Sequence, residues 1–172
     1  SISSDGRVTN WVLMKNKLEP EEVIKLKLVS GQREGEEDDT ALSGLAGGTC
    51  FDFNPFYEHL FIVGTEEGKI HKCNKMYSGQ YLETYEGHFM AVYSLKWNKF
   101  HPNIFLSSSA DWTVKMWEHT SKTALLTFDL GIAVGDIAWA PYSSTVFSAI
   151  TADSKCHVYD VAEDKLSETC EK

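Results

Sequence analysis

The sequence predicts an all-β protein built from repeated four-stranded units. A turn followed by an alternating strand occurs four times, as DGRVTNW from Asp5, EGKIHKC from Glu67, DWTVKMW from Asp111 and DSKCHVY from Asp153. The last three copies begin 44 and 42 residues apart, within the period of about 40 to 45 residues that marks propeller blades. The predicted fold class is therefore a partial β-propeller.

The first unit, residues 1–30, is expected to be an incomplete blade. It offers the segment ISS, a DG turn, the strand RVTNWVL and an outer strand EVIKLKLV, but no innermost strand. The next copy of the motif begins 62 residues after Asp5 instead of about 43. The excess falls in residues 31–48, which are acidic, rich in glycine and without apolar periodicity, so they are predicted to form an inserted surface loop.

The three later units each divide into short segments of period two, separated by turn residues. The predicted blades cover residues 49–86, 87–129 and 130–172. The second of them contains AVYSLKW, NIFLSSS, TVKMW and KTALLTF, which predict four antiparallel strands. The other two repeat that plan, with the closing segments QYLETY and a weaker KLSET.

One blade carries a recognisable signature. Gly87-His88, Asp111 and Trp117-Glu118 resemble the GH, D and W-D elements of a WD40 repeat, with Glu118 in place of the usual aspartate. The resemblance implies a structural network of four side chains, which here are Ser107, His88, Asp111 and Trp117. Since a buried polar group without a partner costs about 1 to 3 kcal/mol, such a network stabilises a blade only when it is complete.

The other units depart from this signature. The first keeps Asp5 and Trp11, with Ser1 in the hydroxyl position. The second has Glu67 and Cys73, the fourth has Asp153 and Tyr159, and neither has a preceding GH pair, so both are expected to rely on packing. A seven-bladed WD40 ring needs about 300 residues at this period. Three complete blades and part of another are therefore expected to be a segment of a longer protein.

Three runs narrow the resemblance further. GTEEGKIHKCNK, SSADWTVKMWEHT and AVGDIAWAPYSSTVFSAITAD are similar to segments of dynein intermediate chains, most closely those of the axonemal outer arm. This resemblance implies a non-catalytic scaffold in the cytoplasm, in the cytoskeleton of the ciliary axoneme. Its propeller would bind a dynein heavy chain, while regions outside this segment would bind light chains and a second intermediate chain. It implies no cofactor.

Composition excludes several other classes. The chain of 172 residues carries a formal charge of −9, so it offers no broad cationic surface for nucleic acid or a membrane. Its four cysteines are scattered, without the CxxC pairs of a zinc site. The turn GTEEGK is one residue shorter than a phosphate-binding loop and lies between strands. The histidines lack metal-ligand spacing, so no metal is expected.

Aromatic residues in the predicted turns remain as candidate contact residues. Phe89 and Met90 follow the GH pair, and Trp112 follows the turn aspartate, so all three should lie on one rim of the propeller. They are either anchors for a partner or packing residues between neighbouring blades. On the opposite rim, four aromatic residues lie beside prolines and are expected mostly to pack into the blade base: Phe56, Tyr57, Phe100 and Tyr142.

Two alternatives to the outer-arm scaffold stay open at this point. The first is another WD40 scaffold, such as a cytoplasmic or inner-arm dynein intermediate chain. The second is a propeller hydrolase with its site in the central channel, where the strands VYSLKW and VGDIAWA offer Asp136 as an acid.

Overall fold

The computed structural model describes residues 1–15, 17–26, 46–77, 80–163 and 170–171. Within those ranges the regular elements are fourteen β-strands, and there is no helix that could cross a membrane. The predicted insertion loop lies outside the described residues except for residues 46–48, and so does the weak segment KLSET at 165–169. The all-β prediction is confirmed.

The strands form four antiparallel sheets that follow chain order. The incomplete first sheet contains β1 (Arg7–Met14) and β2 (Lys17–Lys25). The second contains β3 (Gly48–Phe53), β4 (Leu60–Thr65), β5 (Lys69–Asn74) and β6 (Glu83–Glu86). The third contains β7 (Val92–Trp97), β8 (Ile104–Ser109), β9 (Thr113–Glu118) and β10 (Ala124–Asp129). The fourth contains β11 (Val134–Trp139), β12 (Val146–Thr151), β13 (Cys156–Asp160) and β14 (Cys170–Glu171).

Strand β2 differs from its prediction. It begins at Lys17, five residues before the expected segment EVIKLKLV, and pairs along β1 as far as Met14. The end of that segment, residues 27–29, lies outside the described residues. The early start has a local cause, because Lys15 adopts a positive φ of 37° and turns the chain directly from β1 into β2.

The sheets are buried on both faces because each packs between two neighbours. In β4, Phe61 and Val63 belong to the core shared with the first sheet, whereas Ile62 belongs to the core shared with the third. Successive strand residues point to opposite faces, so an uninterrupted apolar run fills two cores at once. This explains why LFIV is continuous rather than alternating.

Three apolar cores therefore lie between the four sheets. The first is centred on Leu26 and Phe61, the second on Trp97 and Trp117, and the third, between the third and fourth sheets, on Phe147. Stacked sheets whose cores alternate along the chain are the arrangement of propeller blades around an axis.

The repeated turn has one conformation in all four units. Gly6, Gly68, Trp112 and Ser154 follow the turn acid and have φ values of 78°, 85°, 74° and 67°. Glycine adopts this left-handed region without strain, whereas side chains with a Cβ do so at a cost. The turn geometry is thus kept in the third and fourth units although glycine is not.

The turns define two rims. We call the end of the sheets that carries residues 66–68, 87–91 and 110–112 the upper rim, and the end that carries residues 54–59, 98–103 and 140–145 the lower rim. On the upper rim the backbone N of Ala110 donates to the carbonyl of Ala91 at 3.0 Å. These hydrogen bonds join consecutive connections, so each rim is a continuous surface.

Candidate functional site

The four side chains of the signature lie in one hydrogen-bonded chain. Nδ1 of His88 is 2.8 Å from Oδ2 of Asp111, and Nε2 of His88 is 2.6 Å from Oγ of Ser107. The indole Nε1 of Trp117 donates to the same Ser107 oxygen at 2.8 Å. All groups are satisfied if neutral His88 donates from Nδ1 to the carboxylate and accepts the Ser107 hydroxyl proton at Nε2.

Asp111 links this chain to two backbone segments. Its Oδ1 accepts from the hydroxyl of Thr113 at 2.7 Å, and its Oδ2 accepts from the backbone N of Phe89 at 3.1 Å. Burial alone would raise the pKa of Asp111, but the hydrogen bonds from Thr113 and His88 outweigh it and lower that pKa. The ionised carboxylate therefore fixes the turn to the loop that follows Gly87.

The imidazole of His88 is held neutral. Desolvation lowers its pKa, and this exceeds the opposing effect of the Asp111 carboxylate. The side chain of His88 is fully buried, and Ser107 is buried completely. A neutral imidazole is the state that can accept the Ser107 proton, so burial and hydrogen bonding favour the same protonation state.

Ser107, His88 and Asp111 have the connectivity of a hydrolase triad, but their surroundings differ from those of an active site. A catalytic serine must present its oxygen to a substrate. Here the Ser107 oxygen is buried and already accepts the Trp117 indole proton. In this arrangement the network can join three strands and a loop, and it offers no nucleophile to solvent.

Gly87 completes the network sterically, which sequence reasoning did not predict. A Cβ placed on Gly87 would lie 2.5 Å from Cη2 of Trp117, closer than side-chain atoms approach one another. The glycine of the GH pair is therefore needed so that the Trp117 ring can lie against the loop. The spacing of Gly87 and Trp117 in the sequence contains no signal of this contact.

The expectation that the second and fourth units rely on packing is wrong. Nδ1 of buried His71 is 3.0 Å from the hydroxyl of Thr84, and its ring stacks on Tyr81 with centroids 3.9 Å apart. In the fourth unit, Nε2 of His157 is 3.3 Å from the hydroxyl of Thr151. The histidines stand on the third strand of each sheet instead of before the first, which is why a search for GH pairs missed them.

The upper rim presents three large side chains to solvent. Phe89 is 91% exposed, Trp112 is 54% exposed and Met90 is 52% exposed. Their backbones are fixed: Asp111 binds the N of Phe89, and the carbonyl of Met90 accepts from the Ser109 hydroxyl at 3.0 Å. A rigid backbone with exposed apolar side chains is preorganised for contact, because ordering it on binding costs little entropy.

On the lower rim, the prediction that four aromatic residues pack into the blade base is wrong. Tyr142 is 80% exposed, and the others are between 42% and 49% exposed: Phe56, Tyr57 and Phe100. The cores are filled by strand residues, so these turn residues point outward. Sequence reasoning also missed Asn54 and Asn98, whose side chains hold the turns in place.

The acids of the inner strands have backbone partners. Oδ1 of Asp136 accepts from the backbone N of Ile137 at 2.9 Å. A third inner strand, β3, carries Asp52, whose Oδ2 accepts from the N of Trp97 at 2.7 Å. Burial raises the pKa of Asp52. Among the described residues, no three histidine, cysteine or acidic side chains come together as metal ligands.

Comparison with known proteins agrees with this geometry. Residues 79–118 match the WD40 family, described as WD domain, G-beta repeat. The β-propeller domain of Cps50 (Swd1) from Myceliophteria thermophila superposes with a TM-score of 0.63, covering 73% of this chain and 36% of that chain. At 18% sequence identity, this likeness shows the fold alone. The prediction of a partial WD40 propeller is confirmed.

The chain is also similar over its length to curated proteins. It is 58% identical to "Dynein intermediate chain 2, ciliary" of Heliocidaris crassispina, over 100% of this chain and 24% of the relative. It is 47% identical to "Dynein, 78 kDa intermediate chain, flagellar outer arm" of Chlamydomonas reinhardtii, over 99% and 26%. It is 50% identical to "Dynein axonemal intermediate chain 1" of Bos taurus, over 99% and 24%.

The chain thus spans about a quarter of the length of these relatives. The similarity nevertheless covers the incomplete first sheet as well as the three complete ones. The WD40 match, the stacked four-stranded sheets and the extent of identity lead to one assignment. This chain is a WD40-repeat segment that belongs to the dynein intermediate chain family.

Proposed function

We propose that this chain is part of a non-catalytic scaffold subunit of the axonemal outer dynein arm, located in the cytoskeleton of cilia or flagella. The observation that carries the proposal is identity of 47% to 58%, along nearly all of this chain, with relatives whose names include ciliary and flagellar outer arm. On this proposal the segment contributes shape and contact area, while motor activity belongs to the heavy chain.

The partner of the propeller is proposed to be the tail of a dynein heavy chain. A second intermediate chain and the light chains are assigned to regions outside residues 1–172. The contact site is proposed to be the upper rim, with Phe89, Met90 and Trp112 as anchors. Exposed aromatic and methionine side chains on a fixed backbone have the properties of interface anchors.

The strained backbone of Trp112 supports this assignment. Its φ of 74° is the value that glycine adopts at the same turn in two other units. Since a bulky residue in this region costs of order 1 kcal/mol, and the ring is more than half exposed, packing does not explain why tryptophan is there. A contact made outside this chain would.

The experiment is co-purification of the heavy chain with the intact protein carrying Phe89→Ala and Trp112→Ala. Recovery is expected to fall by tenfold or more, with an unchanged melting temperature. Leu125→Ala is the matched control, because Leu125 is an exposed apolar residue on the outer strand β10. Undiminished recovery from the double variant would remove the upper rim from the heavy-chain interface.

The second candidate is another WD40 scaffold, such as a cytoplasmic or inner-arm dynein intermediate chain. A relative named "Dynein axonemal intermediate chain 4", from Mus musculus, is 39% identical over 94% of this chain. The lower identity favours the outer-arm proposal. Identification of the heavy chain that co-purifies with the intact protein from cilia separates the two.

A further inference from the structure

The lower rim carries an exposed aromatic ring at the same place in three consecutive blades. Phe56, Phe100 and Tyr142 each lie two residues after the residue that ends the first strand, in the connection to the second strand. They are 49%, 49% and 80% exposed. Because the blades are stacked in register, equivalent turn positions recur along the rim, and the rings form a row on it.

The turns that carry these rings are held by asparagine side chains. Oδ1 of Asn54 accepts from the backbone N of Phe56 at 2.8 Å, and Oδ1 of Asn98 accepts from that of Phe100 at 2.8 Å. Both asparagines are 2% exposed. These bonds fix each ring-bearing turn to its own sheet.

The same asparagines tie neighbouring turns together. Nδ2 of Asn54 donates to the carbonyl of Pro102 in the next blade at 2.8 Å, and Nδ2 of Asn98 donates to the carbonyl of Ser144 in the blade after it at 2.8 Å. The three turns therefore form one rigid surface across three blades. Rings on such a surface are ordered before any partner arrives, which reduces the entropic cost of binding.

Charge differs between the two rims. The lower-rim turns contain Lys15, Lys75, Lys99 and Lys122, against the acids Glu58 and Glu163. The upper-rim turns contain Asp5, Glu66, Glu67, Asp111 and Asp153, against Lys155. Among these lysines, Lys122 pairs with Glu83 at 3.1 Å, and Lys75 lies 4.6 Å from the ring centre of Phe53. In a chain of net charge −9, the lower rim thus keeps lysines beside exposed rings.

We propose that the lower rim binds an acidic, aromatic-containing segment of a partner protein. Lys99 and Lys75 would pair with its carboxylates, and Phe56, Phe100 and Tyr142 would contact its apolar side chains. This occupant follows from charge complementarity, since an acidic segment is attracted to the lower rim and repelled by the upper rim. The inference is independent of heavy-chain binding at the upper rim.

The test uses the intact protein and a fluorescent twelve-residue peptide of alternating glutamate and phenylalanine, with binding measured by anisotropy. Phe100→Ala with Tyr142→Ala is expected to weaken binding at least tenfold, as is Lys99→Glu. Phe89→Ala with Trp112→Ala is the matched control, and it should bind as the unmodified protein does. Raising the salt concentration should weaken binding, because ion pairs on a surface are screened.

Three outcomes would overturn the proposal. One is absence of saturable binding by the intact protein. Another is equal affinity for a peptide with glutamine in place of every glutamate. The third is loss of self-association in the lower-rim variants, measured by sedimentation, which would assign the rings to a second copy of this chain. Heavy-chain recovery measured on the lower-rim variants keeps this test separate from that of the proposed function.

Discussion

The indole Nε1 of Trp11 donates a hydrogen bond to the hydroxyl of Ser1 over 2.9 Å. Trp117 makes the same bond to Ser107, across the same separation of ten residues. The two indoles differ in their surroundings, since Trp11 is 52% exposed and Trp117 is 1% exposed. The bond between the second and third strands therefore recurs in the incomplete first sheet, where no histidine stands beyond the serine in the described chain.

Removal of the Asp111 carboxylate should destabilise the intact protein. Asp111→Ala leaves the Nδ1 proton of buried His88, and the backbone N of Phe89, without an acceptor. Each buried polar group that loses its partner costs about 1 to 3 kcal/mol, so thermal unfolding should shift down by several degrees. Asp5→Ala, at the equivalent but exposed turn of the first unit, is the control. Equal shifts in both variants would contradict a stabilising network.

A methyl group at Gly87 should disturb the packing of Trp117. Gly87→Ala places a Cβ 2.5 Å from the indole ring, and relieving such a clash in a packed core costs about 1 to 3 kcal/mol. The expected result is a lower melting temperature and a changed near-ultraviolet circular dichroism signal. At Gly135 the nearest atom to a Cβ is 3.8 Å away, so Gly135→Ala should be tolerated. A Gly87→Ala variant with unchanged spectrum and stability would contradict the steric requirement.

The backbone at Trp112 should accept glycine and resist a β-branched residue. Trp112→Gly removes strain at φ 74° while losing little buried area, so the free energy of unfolding should change by less than about 1 kcal/mol. Trp112→Val keeps the strain and adds a branched Cβ, so it should destabilise by about 1 to 2 kcal/mol. Chemical denaturation of both variants measures the difference. Equal stabilities would mean that the turn relaxes away from the left-handed conformation.

Stability should fall as the pH decreases from 6.5 to 4 because of His71. Desolvation lowers the pKa of this buried histidine to about 4, from 6.5 in the unfolded chain. Between those values the unfolded state binds more protons, so the stabilisation present above pH 6.5 is lost as the pH falls, up to about 3 kcal/mol in all. Melting temperatures between pH 7.5 and 4.5 measure this loss.

The variant His71→Asn should show a shallower dependence over the same range, even if it is less stable at pH 7. His59→Asn, in an exposed turn, serves as the control and should follow the unmodified protein. The carboxylate of Asp111 does not confuse this measurement, because its lowered pKa places its loss of stabilisation at a more acidic pH. A slope in His71→Asn equal to that of the unmodified protein would assign the effect to other groups.

Local features of the chain were enough to place most strands. The alternation in TVKMW and the turns before each third strand were visible in the sequence, and the sheets follow them within a few residues. The network around Trp117 could also be located, because its members stand at a recurrent spacing. The early start of β2 could not, since KLEPE has no strand-like alternation and is placed by pairing with β1.

By itself, the sequence determined the repeat, the order of the strands and the side chains of one network, because these depend on spacing within a single unit. The tertiary structure decided what lies between units. Asn54 reaches Pro102 across 48 residues and Asn98 reaches Ser144 across 46, and no pattern within one blade predicts such partners. Exposure of the lower-rim rings was likewise decided by stacking, because strand residues of adjacent sheets already fill the cores and leave turn side chains outside.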